Sequence, residues 1–168
     1  MKRFAALFFA LLVLFLSLFS CAPSKNVSCR DIVGAMTDAE IGLPAGRYYS
    51  LSADKGDREY ASRSLISSLF GGGRYPKLAE GWLDLALYLS IGNHPCEFAV
   101  ILCRDRDTAH DTATLLLNRL SAIRLTKSDP QYTSLLQSAS VTLVGNYAIL
   151  IVSSDVENAL KIAKSAMK

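Results

Sequence analysis

Three stretches of this chain predict an α+β fold, an antiparallel four-stranded sheet with helices packed on it. Leucines at 83, 85, 87 and 89 recur with the period of two that marks a strand. Residues 141–144 and 147–152 are β-rich runs separated only by Gly145-Asn146, the spacing of a tight hairpin. Between these regions, acids at 105 and 107 precede Ala109, Ala113, Leu116, Leu117, Leu120 and Ile123, which recur at helical spacing.

The chain opens with Lys2 and Arg3 and then the apolar run 4–19, which ends in Leu18-Phe19-Ser20-Cys21. A spanning helix usually needs about 20 apolar residues, so this run reads as a signal segment rather than a permanent span. The last four residues resemble a lipobox, in which the cysteine becomes the first mature residue and carries the lipid. Cleavage without lipid and an uncleaved anchor are the alternatives. The expected organisation is a signal peptide over 1–20, a lipidated tether over 21–27, and a single α+β domain over 28–168. Two or three acyl chains on Cys21 would give stable attachment where one chain is marginal.

Without residues 1–20 the 168-residue chain is 148 residues long, enough for one domain with a real core. The remaining 16 basic and 15 acidic residues nearly cancel. That balance argues against nucleic acid or an anionic surface as the partner. Three cysteines remain, Cys29, Cys96 and Cys103. On one strand, Cys96 and Cys103 would point to opposite faces and could not bridge, which leaves Cys29 with Cys96 as the better candidate pair. An odd count leaves at least one thiol free in any case.

Taken in order, Ser28 and Asp31 resemble a capping box for a helix over 29–39, with Ile32, Ala35, Met36 and Ala39 at helical spacing. Pro44, Gly46 and the polar string 52–57 predict a loop. Residues 58–70 read as a helix with Ala61, Leu65, Ile66, Leu69 and Phe70 on one side, ended by Gly71-Gly72-Gly73. Strands over 82–90 and 97–103 make a first hairpin around 91–95. The helix from Asp105 or Asp107 follows, with Arg119 and Arg124 toward its C-terminal end, where cations suit the helix dipole. Pro130 marks a linker. After the second hairpin, Ser154 and Glu157 frame a capping box for a last helix with Val156, Ala159, Leu160, Ala163 and Met167 on its buried stripe.

Residues 98–102, Phe-Ala-Val-Ile-Leu, echo residues 147–151, Tyr-Ala-Ile-Leu-Ile, and each run leads through a turn into a helix. The sheet is therefore expected to consist of two hairpin-plus-helix units. Strand 147–152 is apolar on both faces, and the helices over 29–39 and 58–70 are the natural cover for the face that the later helices leave open.

Catalytic signatures are sparse. No Gly-x-Ser-x-Gly elbow is present, and His94 and His110 are the only histidines available to a Ser-His-Asp triad. His94, Cys96, Cys103 and His110 do not have the spacing of a zinc knuckle or of His-Glu-x-x-His. Asp105, Asp107 and Asp111 lack the glycine and distant glutamate of a calcium loop, and helix capping accounts for them. The triple glycine before Arg74 has neither the incoming strand nor the Gly-Lys-Ser/Thr of a phosphate loop. No cofactor, metal or catalytic residue is expected. Glu97 opens a strand and Arg119 lies on the helix behind it, so they either pair across the layer or bind a polar ligand. Trp82, Tyr48, Tyr49 and Tyr75 are either packed or an aromatic surface before the sheet.

The run Glu97-Phe98-Ala99-Val100-Ile101-Leu102-Cys103, the helix with Asn118-Arg119-Leu120, and Gly145-Asn146-Tyr147 before an apolar strand resemble an uncharacterised family of small Firmicute lipoproteins. The resemblance covers residues 82–168. It implies a membrane-attached extracytoplasmic domain and brings no activity with it. It marks Glu97, Arg119, Asn146 and Tyr147 as candidate binding residues. The expected function is a non-enzymatic binding or adaptor domain, held at the outer face of the cell membrane by lipid on Cys21 and meeting a protein of the cell envelope. The alternative is an enzyme with an unrecognised site acting on an envelope or extracellular substrate.

Overall fold

A computed structural model describes residues 27–71 and 75–168. Helix α1 (Cys29–Ala39) leads to strand β1 (Gly46–Ser50), then to helices α2 (Arg63–Phe70) and α3 (Tyr75–Ala79). Strands β2 (Trp82–Ser90) and β3 (Glu97–Cys103) form the first hairpin, followed by the long helix α4 (Arg106–Thr126). A 3₁₀ turn (Pro130–Tyr132), the short helix α5 (Thr133–Ser138), the hairpin of β4 (Ser140–Val144) and β5 (Tyr147–Val152), and helix α6 (Val156–Ala166) complete the chain.

The α+β architecture is as expected, but the sheet has five strands, in the order β1-β2-β3-β5-β4, antiparallel throughout. The additional strand is β1, where a loop was expected. Gly-Arg-Tyr-Tyr-Ser carries no apolar alternation, and its strand state comes from pairing with β2 and from tyrosines that pack on opposite faces. Tyr48 stacks edge-on against Tyr88, and the Tyr88 hydroxyl donates to the Pro44 carbonyl. Gly46 lies so close to that ring that a Cβ would stand 2.3 Å from it. Gly46→Ala is therefore expected to displace Tyr88 and lower the urea midpoint, whereas Gly34→Ala, in open space on α1, is expected to raise it slightly.

Strands β3 and β5 are fully buried at the sheet's centre, and their alternate residues build two cores. Ala99, Ile101, Cys103, Ala148, Leu150 and Val152 face α2 and α4, with Leu116, Leu120 and Ile123 above them. Phe98, Val100, Leu102, Tyr147, Ile149 and Ile151 face α1 and α6. The two hairpin-plus-helix units exist, but their helices dock on opposite faces. Hence α1 shares a face with α6, and α2 shares one with α4. The echo between 98–102 and 147–151 survives only as the local twofold of the paired strands, in which Phe98 lies opposite Ile151 and Leu102 opposite Tyr147.

Local corrections have local causes. Helix α2 begins at Arg63 because Ser62 caps it by accepting from the Leu65 N–H, and the preceding residues run beside β1, where Glu59 O and Ala61 N bond Ser50. Gly71 ends α2 with φ 76°, and Gly72, Gly73 and Arg74 lie outside the described residues. Asp105 caps α4, but Leu117 of the expected stripe is 51% exposed while Thr112 and Leu115 face the core. The linker after Pro130 contains α5, held by Arg124, whose guanidinium donates to the carbonyls of Leu136 and Ala139. Asp155 caps α6 in place of Ser154, which instead bonds Glu40 at the end of α1.

The three thiols are buried and unbridged. Cys29 lies by Asp84 and Leu102 at one end of the sheet, and Cys96 precedes Glu97 at the other. Six residues of strand, at about 3.4 Å each, separate those ends by about 20 Å, so the expected Cys29–Cys96 pairing is corrected. Burial pushes all three thiols up from an ordinary 9.0, with Cys96 reaching about 12. A group whose pKa is raised on folding stabilises fully below its unfolded value and loses that contribution as pH climbs toward the folded value. The urea midpoint is accordingly expected to fall above about pH 9. A thiol reagent at pH 8 should find these three cysteines only after denaturant is added.

Candidate functional site

Glu97 is the first residue of β3, directly opposite Val152, and its side chain points to the α4 face. Arg119 meets it there. The guanidinium donates through Nε to Oε1 at 3.0 Å and through Nη2 to Oε2 at 2.7 Å, a bidentate pair. The carboxylate side chain is 5% exposed and the guanidinium side chain 21%. Both oxygens of Glu97 are thus engaged by one cation, and the pair is complete without a ligand.

Asn146 and Tyr147 lie elsewhere. The Asn146 carbonyl accepts from Cys103 N at 2.9 Å at the far end of β3, and Gly145 supplies the φ of 58° that the turn needs. Tyr147 is buried on the opposite face, where its hydroxyl donates to the Val27 carbonyl at 2.9 Å. Burial, then the neighbouring Cys29, raises the pKa of that phenol. Of the four candidates, the structure brings together Glu97 with Arg119 and Asn146 with Tyr147. The two pairs occupy opposite ends of the sheet, and Tyr147 lies on the face opposite to that of Glu97.

The residue that sequence reasoning passed over is Asp84. It sits at an irregularity in β2, where the register shifts between Trp82 and Asp84. One oxygen accepts from Cys29 N, the other from Leu85 N, both at 2.8 Å. A carboxylate at the start of α1 suits the helix dipole and locks the entry of the chain onto the sheet. The available signal was an acid on the strand face otherwise taken by Ala86 and Tyr88.

The remaining candidates separate in the same way. His94 stacks edge-on with Tyr132 at 4.8 Å and accepts from Cys96 N, and burial followed by the charge of Lys127 lowers its pKa. His110 is exposed, Cys103 donates to Thr112 on the α4 side, and Cys96 belongs to the α1 side. These four side chains do not converge. Trp82 is buried with Nε1 donating to Thr112 at 2.9 Å and its ring edge-on to Phe70, so it is a core residue. Tyr48 and Tyr49 serve opposite cores, and the Tyr75 side chain lies outside the described residues. Trp82→Phe is expected to cost about 1 kcal/mol by urea unfolding, from the lost bond and the Thr112 hydroxyl left behind.

A surface groove of about 880 Å³ lies between α3 and α4 and is lined by Phe70, Lys77, Glu80, Arg104, Asp111 and Asn118 among others. Groups with displaced pKa values are the three thiols, Tyr88, Tyr147, His94 and Asp105. None of them lines this groove or the smaller ones beside α1, β1 and α5. The three thiols, Tyr88 and Tyr147 belong to the two cores, and Asp105 caps α4. No protein-family model, curated protein or solved structure matches the chain.

Proposed function

We propose that this chain is an extracytoplasmic lipoprotein of the cell envelope, anchored through Cys21, with a non-enzymatic binding or adaptor domain, akin to the Firmicute lipoproteins it resembles. The observation that carries the anchor is the apolar run ending in Leu18-Phe19-Ser20-Cys21, six residues before Val27. Among the described residues no helix is long and apolar enough to cross a membrane. Six extended residues reach about 20 Å, which would hold the Val27 end of the sheet close to the lipid.

The binding reading draws support from the surface away from that end. Ile41, Ile91 and Leu125 are 95%, 56% and 81% exposed, three of the five exposed large apolar side chains among the described residues. Their elements meet at the opposite end: Ile91 N bonds the Ala45 carbonyl, and Lys127 reaches Gly92. Apolar side chains at the free end of a tethered domain suit contact with an envelope protein.

Metabolic labelling with a fatty-acid analogue, followed by fractionation, tests the anchor. The full chain should take the label and sediment with membranes, and Cys21→Ala should lose the label. Label retained by the alanine variant, or none on the parent, would overturn the lipoprotein reading.

A further inference from the structure

We infer that β4 pairs with β4 of a second copy, so that two domains share one continuous sheet. This deepens the reading of the chain as a tethered interaction module. The Cys103 N to Asn146 O bond fixes the hydrogen-bond phase at the centre of the sheet. Asn146, Ala148, Leu150 and Val152 direct their backbone groups to β3, and Tyr147, Ile149 and Ile151 direct theirs to β4. On β4, Ser140, Thr142 and Val144 answer them. The N–H and C=O groups of Val141 and Leu143 consequently point out of the sheet, and no described residue bonds them.

Natural sheets guard such an edge with charge, proline, a bulge or a covering segment. The other edge is guarded. Ser50 of β1 is bonded on its outer side by Glu59 O and Ala61 N, and Arg47, Arg58 and Glu59 flank the rest. Strand β4 is Ser-Val-Thr-Leu-Val, without charge, proline or irregularity. One guarded edge and one open edge allow a closed pair and not a filament.

A second copy fits this edge by symmetry. A twofold axis through Thr142 sets Val141 opposite Leu143 of the partner and Leu143 opposite its Val141. Both pairs exchange two N–H···O bonds, so four new bonds form and all four outward groups at each copy are satisfied. Thr142 then faces its own counterpart, and Ser140 faces Val144. No like charges meet, although a twofold brings every residue near the axis against its own kind.

The anchors agree with this arrangement. The axis is perpendicular to the sheet, so it preserves faces, and both Val27 residues lie on the α1 and α6 face beside Tyr147. Tyr147 to its counterpart spans three strand spacings across the sheet and about four residues along it. With spacings of about 4.8 Å and a rise of about 3.4 Å, that is about 20 Å. Two short tethers leaving one face this close together can enter the same membrane.

The test uses the full chain with Thr142→Cys, in membranes and in detergent, under mild oxidation. The paired geometry brings the two Cα atoms to about 4.5 Å, within disulfide range. Most of the protein should run as a disulfide-linked dimer on a non-reducing gel. Ser121→Cys, exposed on α4, should not. Val141→Pro removes no hydrogen bond within the sheet and trims one partly buried side chain, so in combination with Thr142→Cys it should keep the fold by circular dichroism and lose the crosslink. Crosslinking of Thr142→Cys no greater than that of Ser121→Cys, with a monomer mass by light scattering, would overturn the pairing, as would a crosslink to a different protein. Repeating the gel with Cys21→Ala separates the two readings, since loss of membrane attachment with the detergent dimer intact counts against the anchor alone.

Discussion

Arg119→Ala is expected to destabilise the domain by about 3 kcal/mol, a large share of the roughly 5–15 kcal/mol typical of a domain. The cost arises at Glu97, not at the arginine. Its side chain is 5% exposed at the start of a central strand, and both of its oxygens are occupied by Nε and Nη2 of Arg119. Deleting the cation leaves a carboxylate under α4 with no described partner and little water. Arg119 itself is 21% exposed, so Glu97→Gln should cost less, because the freed guanidinium can turn outward. Glu97→Leu combined with Arg119→Met removes both charges and should return close to the parent stability. Urea unfolding of the four proteins measures this. A pair that carries only structure predicts recovery in the double variant, and an Arg119→Ala protein as stable as the parent would show that Glu97 is solvated after all.

Much of the fold was legible because the central elements are locally consistent. Strands 82–90, 97–103 and 147–152 and helix 29–39 have the bounds that pattern and turn residues predict. What was illegible depended on tertiary context. Strand β1 is specified by its pairing with β2 and by the Tyr48–Tyr88 contact, neither of which leaves a periodic trace. The side on which each helix docks was hidden for a related reason. Strands β3 and β5 are apolar on both faces, so their sequences accept a helix on either side. Only the stripes of α4 and α6, matched to alternate residues of the strands, divide the two.

The four candidate site residues differ in what made them visible in the sequence. Glu97 and Arg119 stood out as charges within apolar runs, and such charges are usually paired when buried. Asn146 and Tyr147 stood out through the hairpin. In the structure the Tyr147 hydroxyl ties Val27 to β5, and the Asn146 carbonyl closes the ladder to β3. The open edge of β4 carried no letter that announces it. It follows from strand order, which places 140–144 outside 147–152 and leaves no trace in local pattern.

The second large effect expected is from Phe98→Ala, about 3–5 kcal/mol. Phe98 is fully buried on β3, opposite Ile151 and 6.2 Å from the Tyr88 ring, beneath α1 and α6. Its replacement opens a cavity that close-packed, β-branched neighbours on paired strands cannot collapse to fill. Trp82, the single tryptophan, lies on the other face against Phe70 and Thr112 and does not share that core. The two cores nevertheless share β3 and β5, so disrupting one loosens the strands that support the other. Phe98→Ala should therefore shift the Trp82 fluorescence midpoint as far as it shifts the circular dichroism midpoint. Leu116→Ala, on the Trp82 face, should behave the same way at a cost of about 2–5 kcal/mol. Fluorescence unmoved by Phe98→Ala while helix signal is lost would mean that the α1 and α6 layer unfolds by itself. In that case the layer carrying Val27 would be a separable unit between the anchor and the sheet.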